Sequence, residues 1–410
     1  MAESMSDTTA SVLPQLGIAV IGFGWMGQAH SRSYLRIPTL FPGRPADPKL
    51  VICADNVPVR GAEAVRSFGF AESTTDPARA IEHPDVDIVV VAAPNMLHEE
   101  LCVAAAQAGK HVFCEKPVGG TPEQTARVEK AAREAGVITG VGYNYRWAPL
   151  VIYARQLIQA GVLGEITNYR GRFFSMYGSD PMGLLSWRFE HDGAGYGVSS
   201  DILSHAIDLA MMLNGPITEV VGLAETFIKD RPLPKPGEGT HYDRGEPGDP
   251  TGPVTNEDYA GCFARFENGS VGNFESSRSI VGPQSQMAFE IYGTKGSIMW
   301  NLETMNEMKI FLTEAADPGD GGPVIHDGYT TVYAGDRYPY HGAFVPGDAN
   351  AIGYEDLKVI EDLNYLEAVA TGVQHKPGFT EALAYVSTQA ALIRSWESGG
   401  WEKVTSIGVA

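Results

Sequence analysis

The sequence predicts an α/β chain: a doubly wound parallel sheet in the N-terminal part, then an α+β part built on a large, mostly antiparallel open sheet. Three observations carry this. From Leu16 to about Gly142, short apolar runs alternate with helical stretches, as parallel strands joined by crossover helices do. After about residue 150, strand-like segments follow one another with short turns between them, as antiparallel strands do. At 410 residues the chain exceeds one typical core, so two domains are expected.

The first part reads as strands near 16–21, 49–54, 87–92, 111–114 and 137–141, with helices near 26–36, 58–68, 76–82, 97–108 and 122–135. Gly109 and Gly136 follow helices as C-cap signals, and Thr121 before Pro122 is an N-cap and N1 pair. Pro38, Pro42, Pro45 and Pro48 mark an extra loop after the first helix. The second part opens with a helix over 150–160 that ends at Gly161. Strands are expected at 166–174, 219–228, 258–266, 270–277, 286–293 and 297–300, with turns at Asn268-Gly269 and Thr294-Lys295-Gly296. Residues 229–256 and 316–323 are dense in Pro and Gly and read as long loops, which tend to be functional or to sit at interfaces. Helices over 355–371 and 379–397 close the chain. The expected division is a disordered leader at 1–14, a dinucleotide-binding domain at 15–146 and an α+β substrate and oligomerisation domain at 147–410.

The dinucleotide follows from the stretch Gly22-Phe23-Gly24-Trp25-Met26-Gly27, a G-x-G-x-x-G at the mouth of a buried strand and the start of a helix. Gly22 allows the tight turn, Gly24 lets a pyrophosphate approach the backbone, and Gly27 lets the helix pack on the sheet. The phosphates would meet the helix's free N–H groups and the positive end of its dipole. Asp55 ends the second strand, where a carboxylate accepts bonds from an adenosine ribose and repels a 2′-phosphate, favouring NAD over NADP. It lies farther from the glycines than usual, which the proline-rich insertion explains at small entropic cost. Asp55 also suits an ordinary strand-end turn, and Arg60 offers a site for the phosphate of NADP.

Three segments carry further chemistry. Phe113-Cys-Glu-Lys-Pro117 ends a strand, the edge where ligands of open α/β sheets bind, so Lys116 points at the reactive end of a cofactor or is a plain surface lysine. Gly142-Tyr-Asn-Tyr-Arg-Trp-Ala-Pro149 is a polar, aromatic loop at the same edge, and also a natural domain junction; Asn144, Tyr145 and Arg146 offer bonds to hydroxyls. In Gly195–Asp208, apolar residues at helical spacing predict one buried helix, with Asp201 and His205 at i, i+4 on one face and Asp208 extending the stripe. A carboxylate and an imidazole at a helix start make an acid–base pair near neutral pH. A satisfied core histidine and a metal pair are the alternatives, and the metal reading lacks a third ligand.

The formal charge of −20 disfavours nucleic acid or an anionic membrane as partner. Cys53, Cys102, Cys114 and Cys262 are scattered without metal spacing and fit a reducing compartment, the cytoplasm. The first residues lack an apolar secretion signal, and no apolar run is long enough to span a bilayer.

The glycine fingerprint, Ala93-Pro-Asn-Met-Leu-His98, Glu115-Lys-Pro117, Gly142-Tyr-Asn-Tyr-Arg146 and Asp201-x-x-x-His205 occur in the order found in the Gfo/Idh/MocA oxidoreductases, and the chain resembles that family over nearly all of 16–400. Asp180-Pro, Leu185-Ser-Trp-Arg-Phe189 and Gly353-Tyr354 extend the likeness to its sugar and inositol dehydrogenases. The resemblance implies roles. Lys116 binds the reacting hydroxyl and assists proton removal, His205 is the acid–base residue, and Asp201 binds substrate and orients the site. Ala93, Pro94, Asn95 and His98 match the cofactor-contacting motif, and Glu115 and Asn144 match positions beside the nicotinamide. Tyr145, Arg146, Trp187 and Arg188 would line the sugar pocket, Trp187 and Arg188 reaching the cofactor as well. No metal is implied. The family often has three glycines before the aspartate; here the stretch is Gly195-Tyr-Gly-Val-Ser-Ser200, which bears on pocket shape. The implied activity is NAD-dependent oxidation of a secondary ring hydroxyl, at C3, of a sugar, anhydrosugar, glycoside or inositol. Relatives that cycle NAD to cleave glycosides, and non-catalytic dinucleotide sensors, are the rival readings. The sheet face left bare by helices implies a homo-oligomer, a dimer or tetramer.

Overall fold

In the computed structural model, residues 13–235, 243–313, 328–374 and 376–407 are described. The expected leader, apart from its last two residues, and the expected loop at 316–323 lie outside them, as does the middle of the 229–256 loop.

Strands β1 (Gln15–Ile21), β2 (Asp47–Ala54), β3 (Glu72–Thr74), β4 (Ile88–Val91), β5 (His111–Cys114) and β6 (Thr139–Val141) form one sheet in the order β3-β2-β1-β4-β5-β6. Every pairing is parallel. Strand order reverses between β1 and β4, and the crevice outside their carboxyl ends is where such sheets bind ligands. Helices α1 (Trp25–Leu40), α2 (Pro58–Phe68), α3 (Pro77–Ile81), α4 (His98–Gln107) and α5 (Pro122–Ala135) make the crossovers. The central strands are continuous apolar runs because both faces are covered: Ile88 to Val91 are fully buried.

The chain leaves this sheet through α6 (Pro149–Gln159) and enters β7 (Ile166–Ser175). Three short segments follow: α7 (His191–Ala194), α8 (Val198–Asp201) and α9 (Leu203–Asn214). Then come β8 (Ile217–Glu225), a ribbon of β9 (Asp230–Pro232) with β10 (Thr251–Pro253), and β11 (Tyr259–Phe266), β12 (Val271–Ser277), β13 (Ser285–Gly293), β14 (Gly296–Asn301), β15 (Glu307–Leu312) and β16 (Thr330–Tyr333). Helices α10 (His341–Phe344), α11 (Tyr354–Thr371) and α12 (Phe379–Ser398) precede the short β17 (Glu402–Lys403). The nine-stranded sheet has the order β16-β15-β14-β13-β7-β12-β11-β8-β17, antiparallel except where β12 meets β7. One face carries Tyr169, Phe173, Phe274, Phe289 and Trp300 into a core with α6, α9 and α12.

The sequence reading missed β3, the β9–β10 ribbon inside an expected loop, and β15 to β17. Each is short, and its pairing partner is set by tertiary contact rather than by its own apolar pattern. Helix α11, from late in the chain, packs Val359, Leu363, Leu366 and Val369 into the core around β1, and Phe379 and Ala382 of α12 join the core on the sheet's other face.

Candidate active site

The glycine loop is built as its residue types require. Gly22 has φ +90°, and a side chain there would press on the backbone of Ala92 at the end of β4. A Cβ at Gly27 would collide with the Gly22 carbonyl oxygen, so glycine lets α1 enter close to the strand. A Cβ at Gly24 would meet nothing within 4 Å. That open side faces an α1 terminus with no side-chain cap and no acidic residue in its first turn, so its N–H groups remain available to an anion.

Asp55 is buried at the end of β2 and ties the loop down: its Oδ2 accepts from the Phe23 N–H at 2.6 Å and its Oδ1 from the Val57 N–H at 2.8 Å. Arg60 stands 3.8 Å from the same carboxylate. Trp25 is 61 % exposed and stacks on Tyr354 of α11, centroids 5.4 Å apart, while the Tyr354 hydroxyl lies 3.8 Å from the Met26 sulfur.

The β4 end continues through Ala93 and Pro94 into a single turn at Asn95–Leu97. Asn95 reaches the Ala194 carbonyl at 3.4 Å. His98 is fully enclosed, with its ring nitrogens 2.7 Å from the Ala93 carbonyl and 2.6 Å from the Pro117 carbonyl. This corrects the expectation that His98 touches a cofactor: the neutral ring is enclosed between two backbone carbonyls, donates its single N–H to one of them, and packs between the β4 loop and the turn after Lys116.

At the end of β5, Lys116 Nζ donates to Asp201 Oδ1 at 2.8 Å and to the Asp201 carbonyl at 2.7 Å. The second bond explains another correction. Asp201 and His205 do not share one continuous helix, because the chain breaks at Ile202 between α8 and α9. The Asp201 carbonyl, which an unbroken helix would give to the His205 N–H, is given to the lysine; that N–H turns to Ile202 instead. Helix α8 is held from behind by Glu257, whose carboxylate accepts from the Gly197 and Ser199 N–H groups at 2.8 and 2.9 Å. Gly195 and Gly197 are required here, since a Cβ on either would strike the backbone of Gly120 or Glu257. Tyr385 and Gln389 of α12 bond Ser199 and Ser200 from the other side.

Asp201 Oδ2 accepts from the Tyr177 hydroxyl at 2.8 Å, a partner the sequence reading did not name. Burial works against the charged form of Asp201, but Lys116, Arg188 and these hydrogen bonds outweigh it and hold the carboxyl well below its usual range. His205 sits in an aromatic cage, with Tyr145, Tyr143 and Phe173 at 4.7, 5.8 and 6.0 Å between centroids. Burial, then the Lys116 charge, pushes its pKa well below 6.5, so the imidazole is neutral, and its Nδ1 has no hydrogen-bond partner among the described residues.

Two further expectations change. Arg146 turns away from hydroxyl recognition: its guanidinium grips Asp208 in a buried two-point pair at 2.6 and 2.5 Å, joining the 144–147 turn to α9. Asp208 is thereby removed from any catalytic stripe. Glu115 accepts from His30 at 3.0 Å and from Lys358 at 2.6 Å. Asn144 is buried with its Nδ2 unpartnered, and Arg188 stacks on Trp187, the guanidinium carbon 4.3 Å from the ring centre. Lys116, Asp201 and Tyr177 therefore form one hydrogen-bonded chain at the end of β5, and the Lys116 charge reaches the caged His205. A dinucleotide fits the residues present: the open side of Gly24 leaves room for a phosphate beside the uncapped N–H groups of α1. Among the described residues, no group of three or more His, Cys, Asp or Glu side chains is placed to hold a metal ion.

A six-stranded parallel sheet with this loop, followed by a large mostly antiparallel sheet, is the architecture of a dinucleotide-dependent oxidoreductase. Residues 16–143 match the model of an oxidoreductase family with an NAD-binding Rossmann fold, and residues 151–299 match the GFO/IDH/MocA C-terminal domain. Levoglucosan dehydrogenase of Pseudarthrobacter phenanthrenivorans is 36 % identical over 96 % of this chain and 100 % of its own length. A solved levoglucosan dehydrogenase in complex with NADH and levoglucosan has a TM-score of 0.87, covering 95 % of this chain and 99 % of that one at 36 % identity. An NAD(+)-dependent scyllo-inositol 2-dehydrogenase of Bacillus subtilis is 30 % identical over 73 % of this chain and 78 % of its own. The chain belongs to the Gfo/Idh/MocA oxidoreductases, and it is an NAD-dependent enzyme acting on CH–OH groups.

Proposed function

We propose that this enzyme oxidises a secondary ring hydroxyl, at C3, of a sugar, anhydrosugar, glycoside or inositol, with Lys116, His205 and Asp201 as its catalytic residues. The observation that carries the reading is the Lys116–Asp201–Tyr177 chain set against a neutral, caged His205. When bound, NAD+ accepts the hydride from the carbinol carbon. Lys116 then stabilises the negative charge that develops on the substrate oxygen, as an oxyanion hole does. His205, neutral at pH 7, has a nitrogen lone pair to take the hydroxyl proton; its cationic form is unfavourable in the cage, so the proton then goes on to a water molecule. Asp201 keeps the lysine aimed through its carboxylate and its carbonyl. In this reading Ala93, Pro94, Asn95, Glu115, Asn144 and the 22–27 loop hold the cofactor, and Trp187 with Arg188 borders cofactor and sugar. Tyr145 lines the sugar side. The relatives named for levoglucosan and inositol support a compact cyclic polyol as substrate.

The same reading includes a cytoplasmic homo-oligomer. The outer face of the nine-stranded sheet exposes Leu223, Phe263 and Val271, apolar surface that a second copy would cover. The enzyme is tested with NAD+ and a panel of levoglucosan, inositols, hexoses and aryl glycosides, following NADH absorbance. NADH formed with a cyclic polyol supports the proposal. Release of an aglycone without net NADH overturns it in favour of redox-cycling glycoside cleavage.

A further inference from the structure

Behind the catalytic strand end lies a cluster of ionisable groups that proton transfer to His205 does not use. On α11, Lys358 Nζ donates to Glu115 Oε1 at 2.6 Å and to Glu361 Oε2 at 2.8 Å. On α1, His30 places Nε2 3.0 Å from Glu115 Oε1 and Nδ1 2.9 Å from Asp362 Oδ1. Side-chain exposure across the cluster runs from 0 to 8 %. Among the described residues, the carboxylates Glu115, Glu361 and Asp362 face two cations, His30 and Lys358. The leftover charge falls on Glu361, whose Oε1 has no hydrogen-bond partner among the described residues; the hydroxyl of Tyr34 nearby has none either.

The cluster lies against the reaction site. Glu115 precedes Lys116, whose N–H approaches Glu115 Oε2 at 3.3 Å, and the charges of Glu115 and Lys358 both reach His205. One turn before Lys358, Tyr354 stacks on Trp25 of the glycine loop. A bound nicotinamide carries a positive charge when oxidised and none when reduced, so the charge of groups near it decides which form binds more tightly.

We propose that this cluster sets the charge beside the nicotinamide and, by taking up or releasing a proton at Glu361, shifts the enzyme's preference between NAD+ and NADH. The inference rests on the reading above that Glu115 stands beside the nicotinamide. With Glu361 protonated the cluster is neutral; with it ionised the cluster carries one net negative charge and favours NAD+. Burial raises Glu361 to about 7, offset in part by Lys358 and raised further by Glu115. The groups facing it are Lys358, Asp362 and Tyr354 from α11, His30 and Tyr34 from α1, and Glu115 from the end of β5, the Tyr354 hydroxyl being pushed up by burial. His30 stays cationic to about 9, Lys358 is held well above and Glu115 well below their usual ranges, and the Tyr34 hydroxyl is pushed well up. Near neutral pH the change belongs to Glu361.

The test measures dissociation constants of NADH by fluorescence and of NAD+ by calorimetry, near pH 6 and pH 8. In the wild type, the ratio Kd(NADH)/Kd(NAD+) rises roughly three- to tenfold from the lower to the higher pH, the scale of one screened charge at this range. Glu361→Gln, which keeps the shape and loses the titration, holds the ratio constant at its low-pH value. Lys358→Met, which removes a cation and with it the charge that holds Glu361 down, raises the ratio near pH 6 toward the wild-type value at pH 8. Should a variant fail to fold, the wild type alone suffices: in weak buffer near pH 7, NAD+ binding releases protons and NADH binding does not. A wild-type ratio constant within twofold, absent proton release, or an unchanged pH dependence in Glu361→Gln overturns the inference. A protein that oxidises the polyol panel with a pH-independent ratio sinks this inference alone. One that oxidises none of the panel but shows the pH-dependent ratio sinks the substrate reading and leaves this one standing.

Discussion

Lys116 and His205 differ in how their surroundings prepare them. The lysine is held in an ion pair and a backbone bond by Asp201, so its position is specified before substrate arrives. The histidine has no polar partner at Nδ1 among the described residues and is kept neutral by burial and the Lys116 charge, so it carries a free lone pair but holds a proton only weakly. In the proposed mechanism, replacing either removes a different part of one step. Lys116→Met and His205→Ala are each expected to lower kcat by about 10²–10⁴-fold, with NADH fluorescence titration showing that the cofactor still binds. Wild-type turnover in either variant excludes that residue from the chemistry. Both residues were legible in the sequence, because their types, order and strand-end or helix context are local. Tyr177 was not, since nothing near it in the chain signals that it reaches Asp201. His98 and Arg146 were misread for a related reason: a histidine or arginine in a polar motif looks the same whether it meets a ligand or a buried backbone or carboxylate partner.

At the scale of elements, the glycine loop separates space for a ligand from space for packing. Gly24 has φ −74° and an open side, so Gly24→Ala keeps the fold, with a melting temperature within a few degrees of the wild type. It places a methyl where the phosphates approach, and NADH binding is expected to weaken about tenfold or more. Gly27→Ala drives a methyl into the Gly22 carbonyl and is expected to cost about 1–3 kcal/mol of stability, read by denaturant unfolding. Equal stability in the two variants contradicts this division of roles. The Arg146–Asp208 pair ties the 144–147 turn to α9. Arg146→Met leaves a buried carboxylate unpaired and is expected to destabilise by about 3–5 kcal/mol, while Arg146→Met with Asp208→Leu recovers much of the loss. A double variant no more stable than the single shows that the pair does more than neutralise its own charges.

Over the whole molecule, α11 brings the late chain back onto α1, with ion pairs at Arg32–Glu355, Arg36–Asp356 and His30–Asp362 along the contact. The first two are partly exposed and add little. His30 and Asp362 are buried, and His30 is raised to about 9. A histidine raised on folding contributes stability that is complete below its unfolded value near 6.5 and is lost as pH climbs through the folded value. The protein is therefore expected to lose melting temperature between about pH 7 and 10, and His30→Gln to lose less over that interval, as followed by calorimetry. A fall as steep in His30→Gln as in the wild type removes this pair from the account.

The sequence by itself determined the parallel sheet, its glycine loop and the antiparallel texture of the second part, and it marked the strand-end Lys116 and the Asp201-x-x-x-His205 segment as separate motifs, because each is written in residues close together in the chain. Only the tertiary structure decided that the Asp201–His205 helix is broken, that Arg146 and His98 are occupied, and that His30, Glu115, Lys358, Glu361 and Asp362 meet in one buried cluster. The physical reason is the same for each. A polar side chain taken out of water must find a partner, and which partner it finds depends on elements that lie far apart in the chain and meet only when the fold closes.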